Sequence, residues 1–568
     1  MADGHPRILP PMSTPSAAEH FDALYEFDRE PVTDDRLLGP GYFAGSLAGE
    51  HVAATEFVIG VMFVNWGASV RDMFLGLAIG NALAVLTWTL LCAPIAVQTR
   101  LTLYWYLRSI GGPWLTVVYN VLNAVLFCIL AGCMITVSAS AVRIPFGIAP
   151  QVHWYPDDWG FVLVVIVVGT VVVGLAMAGF KKLAAFSSVC SPWMFLMFVA
   201  GAVVALPQLA QQAGVAGPSD FFTIAERVVW TGRTPDGSAP MGFWRIAAFA
   251  WICNLAMHGG LSDMALFRYA KHSWYGLITA VGMFFGHYVA WICAGMMGAG
   301  AALLLQQPLA RLDSGAVAYT TIGWAGIFAV VAAGWTTSNP TLYRAGLALQ
   351  AITPNWSRAR VTLVAGAATT VIACFPFVFT RLLDFVGLYG LLLAPAGAVV
   401  LTEHWIFPRI GLTQYWAYHQ GKVLNWPALV AWLGSIAIGL LLERAGVLHL
   451  FYLFVPVYLL TIGSYIALAS IAGARVPAPR GTSGIPGIER RGMAPAPDSP
   501  PKNSPVGRIA GLVAAAALVA CVVLPFRMLG LDAAAVVAAL PSMQSWLLVA
   551  TLSYLVAGTV FYLSRYES

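Results

Sequence analysis

Charge is scarce in this sequence. Only 10% of its 568 residues are charged, against about 25% in ordinary soluble domains, while 59% are apolar and the mean hydropathy is +0.77. A soluble globular protein is thereby excluded. The formal net charge of +5 is too small to imply a nucleic-acid partner. The eight cysteines lie in apolar segments with no CxxC or Cys/His ligand spacing, so neither a disulfide framework nor a zinc site is indicated. Metal-ligand motif, nucleophile elbow and phosphate loop are missing too, which argues against an enzyme and implies no cofactor. Residues 1–41 are polar, carry Arg7, Arg29 and Arg36 and lack an apolar signal core, so this tail is expected in the cytosol.

What is present is apolar runs. A span needs about 20 apolar residues, and runs between charged or Pro/Gly breaks mark fourteen candidates, the first at 42–70, the sixth at 241–266, the eighth at 318–340 and the last two at 508–530 and 540–563. With the N-terminus inside, 21 of the 30 Lys and Arg fall on the cytosolic side, which supports an even count with both termini cytosolic. The domain plan is a tail at 1–41, a ten-span core at 42–407 and spans eleven and twelve at 426–473. A Pro/Gly/Ser-rich flexible linker at 474–507 and two extra spans within 508–568 follow. The terminal pair reads as packing or oligomer surface.

Ionisable groups inside a bilayer are costly and mark function by default. The first span, GYFAGSLAGEHVAATEFVIGVMF, holds Glu50, His51 and Glu56 beside Ala53 and Ala54, and is too long and polar for one plain helix. The sixth, FAWICNLAMHGGLSDMALFRYAK, is interrupted by His258, Gly259, Gly260, Ser262 and Asp263. Each interruption pairs a histidine with an acid five residues later, His51 with Glu56 and His258 with Asp263. Paired breaks in corresponding positions of inverted repeats, here 42–206 and 241–407, point to a transporter site at the bilayer midplane. Unwound carbonyls there can hold a cation and half-helix amides can receive substrate. The alternative is solvation, with Glu50 at the interface, His51 capping a helix and Asp263 facing water near Arg268. Glu56 has no short route to water past FVIGVMFV, and suits either a proton or a cationic or N–H-rich substrate.

Span eight carries Thr336, Thr337, Ser338 and Asn339 before Pro340. Their oxygens suit a hard monovalent cation such as sodium, or serve ordinary hydrogen bonding within and between helices. Trp251, near His258, and Phe127, in span three, are aromatic candidates for a flat heterocycle.

GLAIGNALAVLTWTLL, GFKKLAAFSSVCSP, SDMALFRYAK, WTTSNPTLYRAGLALQ and LLDFVGLYGLLLAPAGAVVLTEHW together resemble the nucleobase:cation symporter-1 family of cytosine, purine, uracil, hydantoin, allantoin and thiamine permeases, over about residues 42–473. The resemblance implies an all-α polytopic membrane protein of the leucine-transporter type, an inverted five-plus-five repeat with broken helices 1 and 6, plus four further helices. It implies substrate between spans one, three, six and eight and a cation between spans one and eight. Carried onto this chain, the span-one site falls near Ala53 to Glu56, the span-three aromatic on Phe127, the span-six aromatic on Trp251 and the span-eight hydroxyls on Thr336 and Thr337. Phe127 stands where that family commonly has tryptophan, and the acidic pair in span one is unusual for it.

The expectation is a plasma-membrane symporter, of a bacterial inner membrane, that imports a small nitrogen-rich heterocycle by alternating access, driven by sodium or protons. Its partners are the solute and the lipid bilayer. Substrate contacts are expected from Glu56, Ala54, Phe127, Trp251, His258, Gly260, Asp263 and Asn339, and coupling from Ala53, Glu50, His51, Glu56, Thr336 and Thr337. Alternatives are a non-transporting receptor with the same fold and a proton-coupled transporter of an amine-like cation.

Overall fold

The computed structural model describes residues 29–151, 153–177, 180–479, 484–486 and 504–566. Most of the expected tail and of the expected linker lies outside the described residues. Within them every regular element is helical, with only isolated bridges such as Leu38 to Ala270. The first interrupted segment comprises α1 (Pro40–His51) and α2 (Thr55–Asn65), bent by 50°. Then come α3 (Val70–Thr99), α4 (Leu103–Val142), α5 (Trp159–Ala176) and α6 (Phe180–Ala213). The second interrupted segment is α7 (Phe243–Ile252), α8 (Leu255–His258) and α9 (Met264–Phe267). It is followed by α10 (Ser273–Leu305), α11 (Ser314–Ile322), α12 (Trp324–Ile352), α13 (Arg358–Ala373) and α14 (Arg381–Arg409). Two pairs close the chain, α15 (Trp426–Arg444) with α16 (Phe454–Ala472), and α17 (Pro505–Gly530) with α18 (Ala533–Tyr566).

Ten described helices are long and apolar enough to cross a membrane, eleven if the bent pair counts as one, and the chain is a multi-pass membrane protein. The expected count of fourteen is not established by that criterion. The expected sixth and ninth spans fall on the short helices α7 and α13, of 10 and 16 residues. The eighth falls on α12, whose hydroxyl run and Arg344 lower its apolarity.

The long helices lie against one another in a pattern that brackets the breaks. α4 packs along α12, α7 against α3, α2 against α10 and α1 against α6. The first break has a local cause and a tertiary one. α1 starts at Pro40 after Gly39, as a proline at the first helical turn should, and stops where Val52 leaves helical geometry at φ −87°, ψ 63°. Alongside, residues Val281–Ala290 of α10 wind as a π-helix, the rare form often found at functional sites. A Cβ on Gly286 would sit 2.1 Å from the His51 carbonyl oxygen, so this approach requires glycine.

Where one break at 258–263 was expected, the second segment breaks twice, at Cys253–Asn254 and again between His258 and Asp263. In the latter, buried Leu261 adopts φ 61°, a costly conformation for a branched side chain. Gly397 of α14 packs against this loop so closely that a Cβ there would meet the Gly259 oxygen at 2.0 Å. α17 and α18 pack on each other and on α6. Trp193 donates to the Thr551 hydroxyl at 3.1 Å, the Tyr554 hydroxyl to the Val189 carbonyl at 2.7 Å, Gln208 Nε2 to the Ala533 carbonyl at 3.1 Å and Gln544 Nε2 to the Thr320 carbonyl at 3.2 Å, so the terminal pair is tied to the core by packing and side-chain hydrogen bonds.

Candidate substrate and ion site

A small cavity lies where the two interrupted segments face each other. The α1–α2 break supplies Glu50, His51, Ala53 and Glu56, the first break of the second segment supplies Asn254, α10 supplies His287, α12 supplies Thr337, and α14 supplies Tyr389. Leu130 and Met134 of α4 form its apolar wall. Helix geometry explains the grouping: His51 ends one half-helix and Glu56 begins the next, so the bend turns both toward the same space.

Glu56 is 2% exposed. The Trp291 indole N–H donates to its Oε2, and His287 Nε2 stands 3.5 Å from its Oε1. The His287 and Trp291 rings stack at 4.5 Å, which holds both nitrogens toward the carboxylate. His51 lies edge-on to His287 at 5.2 Å. Its Nδ1 is 2.7 Å from the Leu47 carbonyl, so Nδ1 donates there, and Nε2 is buried without a hydrogen-bond partner.

Glu50 and Asp263 meet elsewhere, on Arg344. The guanidinium donates Nη1 to Glu50 Oε1 at 2.6 Å, Nη2 to Glu50 Oε2 at 3.1 Å and Nε to Asp263 Oδ1 at 2.9 Å, while Trp88 Nε1 donates to Asp263 Oδ2 at 2.7 Å. All three charged groups are at most 3% exposed. The triad pins the end of α1 and the start of α9 to α12, because a buried charge stripped of its partner is strongly unfavourable. Against the solvation alternative, Asp263 does not face water beside Arg268, and α12, which runs to Ile352, buries Arg344 completely. Around the triad, Val32 N donates to the Arg100 carbonyl at 3.0 Å and Leu38 N to the Tyr269 carbonyl at 2.9 Å, so residues 32–38 strap the same end of the bundle.

The Thr337 hydroxyl faces two carbonyl oxygens, Glu50 O at 2.8 Å and Ala333 O at 3.0 Å. One hydroxyl proton cannot fully serve both, so three hard oxygens from α1 and α12 converge there. Thr336 instead bonds back to Ala333 O at 3.1 Å, and Asn339 Nδ2 donates to Trp335 O at 2.8 Å.

The expected residues thus divide. Glu50, His51, Ala53, Glu56 and Thr337 line the cavity, whereas Ala54, Phe127, Trp251, His258, Gly260, Asp263, Thr336 and Asn339 do not. Trp251 donates to the Thr87 hydroxyl at 3.0 Å and packs edge-on against Phe454. His258 Nε2 donates to the Trp251 carbonyl at 2.8 Å, and Phe127 meets the Tyr389 ring edge-on at 6.2 Å. Sequence reasoning passed over Arg344, His287, Trp291, Asn254 and Tyr389. His287 was findable, since it is an ionisable residue inside an expected span and falls under the same rule that selected Glu56.

No family model matches the chain and no curated protein matches it by sequence. Solved structures do. Mhp1, a nucleobase-cation-symport-1 family transporter, in a closed conformation with bromovinylhydantoin bound, aligns with a TM-score of 0.60 at 14% identity, covering 80% of this chain and 98% of that one. Mhp1 in its inward-facing conformation aligns at 0.58 and 16%, covering 78% and 94%. A substrate-bound, outward-open Na+-coupled sialic acid symporter aligns at 0.55 and 17%, covering 81% and 96%. The chain therefore has the fold of Mhp1, the leucine-transporter-type arrangement, with its cavity beside the interruptions of the first and second broken segments.

Proposed function

We propose that this protein is a secondary active transporter that moves a small nitrogen-rich solute across a membrane by alternating access, coupled to a sodium ion or a proton. The observation that carries this reading is the cavity at the meeting of two broken helices, lined by a buried carboxylate, two histidines and a hydroxyl shared with an unwound carbonyl. Half-helices hinge at their breaks, so such a cavity can open to one side and then the other while its ligands stay in place. Glu56, His51 and Asn254 are the substrate-facing groups. Thr337, Glu50 O and Ala333 O are the cation-facing ones, with Ala53 beside them. The Glu50–Arg344–Asp263 triad and the 32–38 strap hold one end closed. The excess of Lys and Arg expected on that side supports reading it as the cytosolic end. Apolar residues left exposed on outward helix faces, such as Leu163, Leu512 and Leu552, are its lipid contacts.

The test is uptake by purified protein in proteoliposomes with imposed sodium or proton gradients, using radiolabelled hydantoin, uracil, cytosine and small amines. Concentrative uptake that collapses with the gradient is expected. A ligand that binds yet shows neither uptake nor counterflow under either gradient would make the protein a receptor.

A further inference from the structure

The charge around the cavity is one-sided. Its lining contains Glu50 and Glu56 and neither arginine nor lysine. The nearest guanidinium, Arg344, is shared between Glu50 and Asp263, so one positive charge already faces two negative ones. Glu56 is worse balanced. Among the described residues its polar side-chain contacts are an indole N–H and one imidazole at 3.5 Å, and no Arg or Lys pairs with it. Burying a carboxylate with only neutral donors is costly, and the cost is relieved by a positive charge brought to it.

The remaining polar side chains of the lining carry no fixed charge: Asn254, Thr55, Thr337, Thr341 and Tyr389 are neutral groups that can donate or accept. His51 Nε2 lines the same space without a hydrogen-bond partner, and Ala53 stands in the unwound stretch. Around them the walls are aliphatic or thioether: Ile59, Leu130, Met134, Met257, Leu382 and Val386. Tyr389 is the only phenol or indole among the lining residues, beside the imidazoles of His51 and His287. An anion would meet no counter-charge there.

We propose that this cavity takes a small organic cation, a protonated amine or an amidinium on a short apolar body, with Glu56 as its counter-charge and His51 Nε2 as a second acceptor. The inference rests on the transporter reading and narrows its substrate class.

Three nearly isosteric probes separate the possibilities: acetamidinium, acetamide and acetate carry charges of +1, 0 and −1 on one skeleton, and propylammonium against 1-propanol repeats the contrast. Full-length protein in detergent is titrated with each, following thermal unfolding, because a ligand of the folded state raises apparent stability. The cations should stabilise wild type and their neutral and anionic counterparts should not. Glu56→Gln should weaken cation binding by more than about tenfold. Should that variant fail to fold, the wild-type contrast between isosteres carries the test alone. Equal binding of acetamide and acetamidinium, stabilisation by uracil or hydantoin but by neither cation, or no response to either cation overturns the proposal. Proteoliposome uptake distinguishes the two readings: concentrative uptake of a neutral heterocycle sinks the cation inference and keeps the transporter, whereas cation binding without uptake does the reverse.

Discussion

Glu50 and Glu56 sit on either side of one helix break, equally buried, in opposite electrostatic settings. Glu50 is held bidentately by Arg344, which also holds Asp263, so its charge joins three elements of the fold. Glu56 receives an indole hydrogen and little else. The difference teaches what each carboxylate is available for. A residue whose oxygens are taken by a guanidinium acts as a structural tie, and one facing a cavity with neutral donors can respond to a ligand.

The largest effect should come from breaking the tie. Arg344→Met leaves two buried carboxylates without a counter-charge and should destabilise the protein by about 3–5 kcal/mol. Adding Glu50→Gln and Asp263→Asn should recover most of the loss in thermal unfolding. A single variant as stable as wild type would show that the triad holds nothing together. Glu56→Gln makes the opposite case: the amide oxygen can still accept from Trp291, so stability should change by no more than about 1 kcal/mol. Concentrative uptake should nevertheless be impaired, and full retention of uptake and ion coupling would remove Glu56 from the proposed site.

Thr337→Val deletes the hydroxyl between Glu50 O and Ala333 O. It should lower the apparent affinity for the coupling ion in uptake assays with a stability cost of about 1 kcal/mol, and unchanged ion dependence would separate this residue from coupling. The smallest functional effect belongs to the terminal pair. Thr551→Val removes the acceptor for Trp193 and should cost roughly 1 kcal/mol, with uptake unchanged. A variant that folds but loses transport would show that α17 and α18 take part in the cycle.

How much of this was legible can be followed residue by residue. Intramembrane polarity is a local property, so Glu50, His51, Ala53 and Glu56 could be picked from one short run, and the structure places all four on the cavity. Arg344 lies beyond the eighth apolar run, which fades at Pro340, whereas tertiary packing carries the helix to Ile352. His287 and Trp291 lie within a long apolar and aromatic run whose pattern shows no polar cluster. Trp251 stands out by its nearness to His258 and Phe127 by its place in span three, but which way a ring faces depends on how its helix is rotated against its neighbours. Trp251 turns to Thr87 and Phe454.

The sequence by itself determined that the chain is membrane-embedded, helical, and interrupted near residues 52 and 260, because apolar length, scarcity of charge and clustered glycines act through local physics. Only the tertiary structure decided which charges meet. Glu50 and Arg344 are 294 residues apart and Glu56 and Trp291 are 235 apart. Burial makes those pairings necessary, since an ionised group in an apolar interior must find a partner. Choosing the partner depends on helix rotation and register, which distant residues set together.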